Sequence, residues 1–196
     1  MYFESLTVFR VRNFIYSYVY CCILLLNFQF IVDMLTTLEI HPVRIADNFQ
    51  AISRLMHELH MHEHSLFDKT ANWSDIETSY MRHVIAMQEE NDGLCLVAYI
   101  NREPVGFIFA YVEEQDDSRI EIHEGKELYV SDGYVAEEYR RLGIYSMLNE
   151  MLEKHFVEKG IKRMIRFTLV NNTRMRQFLE NEGYGVTRLQ YEKWLY

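Results

Sequence analysis

Residues 140–145 read Arg-Arg-Leu-Gly-Ile-Tyr, and an amphipathic run follows them directly. The first N–H groups of a helix have no internal partners, and with the helix macrodipole they attract phosphate oxygens. Gly143 has no Cβ to hold a ligand off the backbone and accepts dihedrals that other residues resist. Arg140 and Arg141 add forked donors whose geometry suits phosphate. The same residues also suit a solvated turn carrying two surface arginines. The turn is neither a G-x-x-x-x-G-K-[ST] loop nor a G-x-G-x-x-G dinucleotide turn.

A second cluster is chemically suggestive. MHELHMHEH (56–64) puts His57, His60 and His64 on one face of a helix. Zinc would accept imidazoles at such spacing, but the H-E-x-x-H pattern is missing, and the reading is of no metal site. A helix end lining a substrate site, or plain surface histidines, are the two alternatives.

Hydrophobic spacing supplies the elements that must position these groups. LEIHPVRI (38–45) reads as a strand. Asp47 with Gln50, and Ser74 with Glu77, read as capping boxes opening two helices. The first helix has Phe49, Ile52, Leu55, Met56 and Leu59 on one face, and the second has Ile76, Tyr80, Val84 and Met87. LCLVAYI (94–100) and PVGFIFAYV (104–112) form a hairpin about Asn101-Arg102-Glu103. Residues 113–127 are an acidic loop or weak hairpin. LYVSDGYV (128–135) is a strand. Ile144, Met147, Leu148, Met151, Leu152 and Phe156 define a helix that Gly160 ends. MIRFTLV (164–170) is a strand, Met175 to Leu179 a short helix closed by Gly183, and residues 186–196 a last strand. The order β-α-α-β-β-β-α-β-α-β implies an α/β layered domain with a parallel crossover across 128–170.

The whole chain has 196 residues, 49% of them hydrophobic and 25% charged, and a net charge of -9. A chain of this size buries roughly 70% of its unfolded surface and needs no staples. The acidity argues against nucleic acid as a partner and suits a cationic one. Cys21, Cys22 and Cys95 form no C-x-x-C pair, which fits a reducing, cytoplasmic setting without a cysteine metal site. Residues 13–32 carry no charge, long enough for a membrane span. Three readings of 1–33 stand: an over-long start with Met34 opening the native chain, a packed apolar extension, or an anchor. Arg10 and Arg12 would place an anchored domain outside the cytoplasm, so membrane attachment is disfavoured. Arg10 and Arg12 balance Glu4 and Asp33, so the whole of the -9 lies in the domain proposed at 34–196.

The strand, the Arg-x-x-Gly turn and the helix are followed by a second strand and then by Asn172, Phe178 and Gly183-Tyr184. In this arrangement the chain resembles the GNAT superfamily of acyl-CoA-dependent N-acetyltransferases, over about 38–194 and most specifically over 128–184. The family's pyrophosphate loop has the form [QR]-x-x-G-x-[GA]. The resemblance implies a mostly antiparallel mixed sheet flanked by helices, with a splayed parallel strand pair. It implies that main-chain N–H groups of Leu142, Gly143, Ile144, Tyr145 and Ser146, with Arg140 and Arg141, hold the pyrophosphate of acetyl-CoA. The strand edge at Tyr134 and Val135 would pair with the pantetheine arm, and Asn172 would contact the cosubstrate or an ordered water. The thioester would lie in the splay, and the acceptor amine would enter from the opposite side. Family members often pair through their last strands, which implies a homodimer.

Two residues depart from the family pattern. Tyr145 stands where Gly or Ala is preferred, and would crowd a phosphate unless its side chain turns away. Leu179 stands where many members carry a tyrosine that protonates the leaving thiolate. Either the thiolate leaves unassisted or another tyrosine, Tyr134 or Tyr145, replaces it. An ammonium must also lose a proton before attack. Asp132 is the first candidate base, with Glu121 and His123 on the preceding segment. The acids of 113–127 attract a cationic amine or simply solvate a loop. The expected activity is acetyl transfer from acetyl-CoA to a small-molecule or peptide primary amine by direct attack in a ternary complex. The alternative is a CoA-binding sensor or scaffold without turnover.

Overall fold

The hairpin at the centre of the sheet shows how local sequence sets geometry here. In the computed structural model, which describes residues 37–115 and 125–195, Ile100 pairs with Glu103 across a two-residue loop. Asn101 and Arg102 both have positive φ, 51° and 70°, as the twist of a tight hairpin demands. The strands are β1 (Leu38–Val43), β2 (Leu94–Ile100), β3 (Glu103–Glu114), β4 (Lys126–Val135) and β5 (Met164–Ile165), and the helices are α1 (Phe49–Leu66), α2 (Trp73–Glu90), α3 (Ile144–Glu158) and α4 (Thr173–Asn181). The sheet order is β1-β2-β3-β4-β5, antiparallel except for the parallel β4–β5 pair. The expected mixed, mostly antiparallel sheet with one parallel pair is present.

Each face of the sheet buries its own core. Leu96, Ile108, Val130, Ile144, Leu148 and Phe156 pack between the sheet and α3. Ile52, Leu55, Met56, Met81, Val97 and Phe107 pack between the sheet and α1 and α2. Four of the six periodic residues of α3 behave as spaced, Ile144, Leu148, Leu152 and Phe156 being at most 1% exposed, whereas Met147 is half-buried and Met151 lies at the exposed border of the face, 41% exposed.

Three expectations need correction. The strand read at 164–170 pairs only at Met164 and Ile165, opposite Leu128 and Tyr129. Beyond Tyr129, β4 and the chain after β5 separate. Residues 186–195 are not a strand; with β5 two residues long, no ladder is offered to pair with, and Val186, Leu189, Tyr191 and Leu195 stay exposed. Neither capping box forms. Asn48 and Asn72 are the N-cap residues. Ser53 Oγ donates to Glu77 Oε1 at 2.6 Å, which takes Glu77 from the local role read for it. Glu121, His123 and the 1–33 extension lie outside the described residues.

Candidate active site

The site depends on one extra residue in β4. Phe109 pairs with Asp132 and Ala110 with Val130, so Ser131 has no counterpart on β3. A bulge of this kind resets the alternation of side chains. Before it, Leu128 and Val130 face α3 and Tyr129 faces the α1/α2 side. After it, Asp132 and Tyr134 also face the α1/α2 side. Without the bulge Asp132 would point into the apolar layer beneath α3.

Asp132 is buried among donors. Tyr80 Oη, from α2, donates a short hydrogen bond to Asp132 Oδ1, and Ser131 Oγ donates to Oδ2 at 2.6 Å. Burial pushes the Asp132 carboxyl above its usual range, opposed by the Ser131 and Tyr80 hydrogen bonds and by nearby His83. Burial, and then the charge of Asp132, push Glu63 of α1 upward too. Two carboxyls with raised affinity for protons therefore share this side of β4. That is the property a general base near neutral pH requires. Aromatic rings border them: Tyr129 meets Tyr111 edge-on at 5.3 Å and Phe167 at 5.8 Å. Asn171 Nδ2 donates to the Leu66 carbonyl at 3.1 Å, tying the segment after β5 to the end of α1.

The Arg-Arg-Leu-Gly turn caps the other end of β4. Arg141 and Gly143 have φ of 68° and 77°, and Gly143 is the N-cap of α3. The Met147 N–H is bonded to the Gly143 carbonyl at 3.0 Å, so the amides of Ile144, Tyr145 and Ser146 precede the helical ladder. A Cβ on Gly143 would meet no protein atom within 4 Å, so what the protein's own packing asks of this residue is its left-handed backbone angle. Left-handed residues within such a turn gather N–H groups into a concavity for an anion. The residues present fit the CoA pyrophosphate. Arg140 is not a free surface arginine. Its Nε donates to the Val135 carbonyl at 2.9 Å and its guanidinium lies 5.2 Å from the centre of the Tyr134 ring. Burial and the nearby Arg140 and Arg174 hold His62 below the usual imidazole value, so α1 also reaches this turn.

Tyr145 turns away from the loop. Its hydroxyl lies where a Cβ on Gly133 would be, 2.6 Å from that position. It accepts from Arg166 Nη1 at 3.0 Å, and its ring meets Phe178 edge-on at 5.0 Å. Only the main chain of Tyr145 remains at the turn, so the bulk expected to crowd a phosphate is absent from it. Asn172 is a helix cap: its Oδ1 accepts from the Met175 N–H at 3.2 Å. Leu179 is a core residue, 9% exposed.

The histidines do another job. His57 stacks on Trp73 at 5.6 Å, His60 Nε2 lies 2.8 Å from the Ala71 carbonyl, and His64 Nδ1 is 2.6 Å from Thr70 Oγ1. They line a hollow of about 720 Å³ between α1 and α2. Among the described residues no group of three or more His, Cys, Asp or Glu is placed to hold a metal. Tyr80, Glu63, Ser131 and Arg166 were not legible as site residues. Arg166 alone left a trace, as a charge inside the apolar run MIRFTLV.

Comparison with known proteins agrees with this geometry. The family model described as Acetyltransferase (GNAT) family matches residues 55–184. The chain belongs to the GNAT family of acetyltransferases. No curated protein matches it. Among solved structures it is similar to the aminoglycoside acetyltransferase meta-AAC0020, from an uncultured soil metagenomic sample and in complex with sisomicin, at 19% identity and a TM-score of 0.60, covering 83% of this chain and 99% of that one. It is likewise similar to a tetramutant of BH1408 from Bacillus halodurans, at 20% identity and a TM-score of 0.61, covering 80% and 99%. The aminoglycoside N-acetyltransferase AAC(6')-Iy in complex with CoA matches at 14% identity and a TM-score of 0.58, covering 80% and 94%. At these identities the likeness is one of fold.

Proposed function

We propose that the chain transfers the acetyl group of acetyl-CoA to a primary amine by direct attack in a ternary complex. The observation that carries this reading is the division of labour along β4. Its far end opens into a turn whose amides precede the helical ladder and suit a diphosphate. Its middle, where β5 has parted from it, holds Asp132 among donors on the opposite face from α3. The acetyl thioester would span the space between them. The amine would approach from the α1/α2 side, where Asp132, assisted by Glu63, takes its proton directly or through water. Arg140, Arg141 and the amides from Leu142 to Ser146 would bind the pyrophosphate, and the β4 edge at Tyr134 and Val135 the pantetheine arm.

The acceptor is proposed to be a small cationic amine. The paired carboxyls and flanking aromatic rings suit an ammonium, and two of the solved structures similar to this chain are aminoglycoside acetyltransferases. The acetyl-CoA requirement and the lone described cysteine, buried Cys95, fit a cytoplasmic setting. The test is calorimetry with CoA followed by a panel of amines, including aminoglycosides and polyamines, read by thiol release. Binding with amine-dependent thiol release supports the transferase. Binding without release across the panel favours the sensor reading, which the burial of Leu179 in place of a phenol keeps in view.

A further inference from the structure

We infer that Tyr145 is the acid that protonates the departing CoA thiolate, with Arg166 holding its phenol in place. This rests on the acetyl-transfer reading above. Three contacts fix the hydroxyl. It lies against Gly133 of β4, where any Cβ would come within 2.6 Å of it. It accepts a hydrogen bond from Arg166, one residue past the end of β5. Its ring is braced by Phe178 of α4. The hydroxyl therefore bridges β4 and the chain after β5 where these have ceased to pair. This places it on the α3 side of the gap, while Asp132 lies on the α1/α2 side. A thioester in the gap would have its base above and its acid below.

The hydrogen-bond geometry suits the role. Arg166 donates to the Tyr145 oxygen, so the phenol's own hydrogen is left to point elsewhere. Arg166 Nη2 is anchored on Asn149 Oδ1 at 2.7 Å, and Asn149 is fully buried. Leu179 removes the phenol from α4; Tyr145 supplies one from α3. Tyr134 is less suited, since it lies on the acceptor side beneath Arg140. In the step itself the amine nitrogen forms the new C–N bond and the C–S bond breaks. The sulfur takes the Tyr145 proton. The resulting phenolate, which burial disfavours and the Arg166 guanidinium offsets in part, is reprotonated from water, and the amine's proton leaves through Asp132.

The test needs no acceptor. CoA is bound to the full chain, and the ultraviolet absorbance of its thiolate is titrated in wild type, Tyr145→Phe and Arg166→Met. The titratable groups facing the Tyr145 hydroxyl are Arg166, Asp132 and Tyr184. A phenol donating to sulfur favours the thiolate. Tyr145→Phe, which keeps the ring on Phe178, is therefore expected to bind CoA within about twofold of wild type and to move the thiol titration to higher pH. Arg166→Met is expected to move it the same way by less. With any amine that gives turnover, kcat of Tyr145→Phe is expected to fall about 100-fold with KM little changed. An unmoved thiol titration with wild-type CoA affinity overturns the assignment while leaving acetyl transfer standing. Absence of CoA binding by the wild-type chain overturns both.

Discussion

Tyr80→Phe removes one hydroxyl and keeps the ring packed beneath the sheet. The lost bond is the one Tyr80 donates to the buried Asp132 carboxyl. Burial raises the affinity of that carboxyl for its proton in the folded state. A group raised in this way contributes most to stability below its unfolded value, and the contribution is lost as pH climbs through the folded value. The Tyr80 bond works against that loss, because it favours the charged form. Removing it deepens the loss on the alkaline side. A hydrogen bond to a charged acceptor contributes about 1.5–3 kcal/mol and one to a neutral acceptor about 0.5–1.5 kcal/mol. In a chain of this size each kcal/mol moves Tm by roughly 2–4 °C. The expected fall in Tm is thus about 3–12 °C at alkaline pH, where the carboxyl is charged, and about 1–6 °C at acid pH, where it is neutral, with the larger penalty on the alkaline side. Thermal melts of both proteins across that pH range decide it. A penalty that is flat, or larger in acid, would mean that Tyr80 does not hold a carboxylate, and the proton-accepting role of Asp132 would lose its support.

Asp132→Asn removes the buried charge, so it is expected to lower turnover by about 10²–10⁴ while leaving Tm at neutral pH unchanged or higher; activity and melting on the same preparation check it. Gly143→Ala meets no atom, but it forces a left-handed residue with a Cβ at a cost of about 1–2 kcal/mol. CoA affinity by calorimetry is then expected to fall up to about tenfold, with Gly143→Asn closer to wild type because asparagine tolerates that conformation. Arg163 Nη1 lies 3.2 Å from Glu127 Oε2, and Glu127 is fully buried. Arg163→Ala is expected to destabilise the fold by about 3–5 kcal/mol in denaturant titration, against about 0.2–1 kcal/mol for Lys159→Ala, whose pair with Asp92 is exposed.

Features set by neighbours in sequence were readable before the structure. The spacing of Ile144, Leu148, Leu152 and Phe156 fixed the buried face of α3, and Asn101-Arg102 fixed the central hairpin. The turn at Arg140–Gly143 was readable because its chemistry is local: a left-handed glycine and a helix start. What escaped were pairings between distant segments. Tyr80 had the spacing of a core residue, and only the docking of α2 on β4 brings it to Asp132 across 52 positions. Ser74 and Glu77 had the right separation for a cap, but Ser53 on α1 took Glu77. The last strand failed for a related reason. Its alternation is only loose, and β5 ends after Ile165 and offers no ladder. The bulge at Ser131 had no signature in composition at all.

That single unpaired serine splits the working life of β4 in two. Upstream of it, changes at Leu128 or Val130 are felt by the scaffold under α3. Downstream, the same kind of change at Asp132 or Tyr134 is felt on the side of α1 and α2. One inserted residue thus lets a single strand answer to two different layers of the molecule.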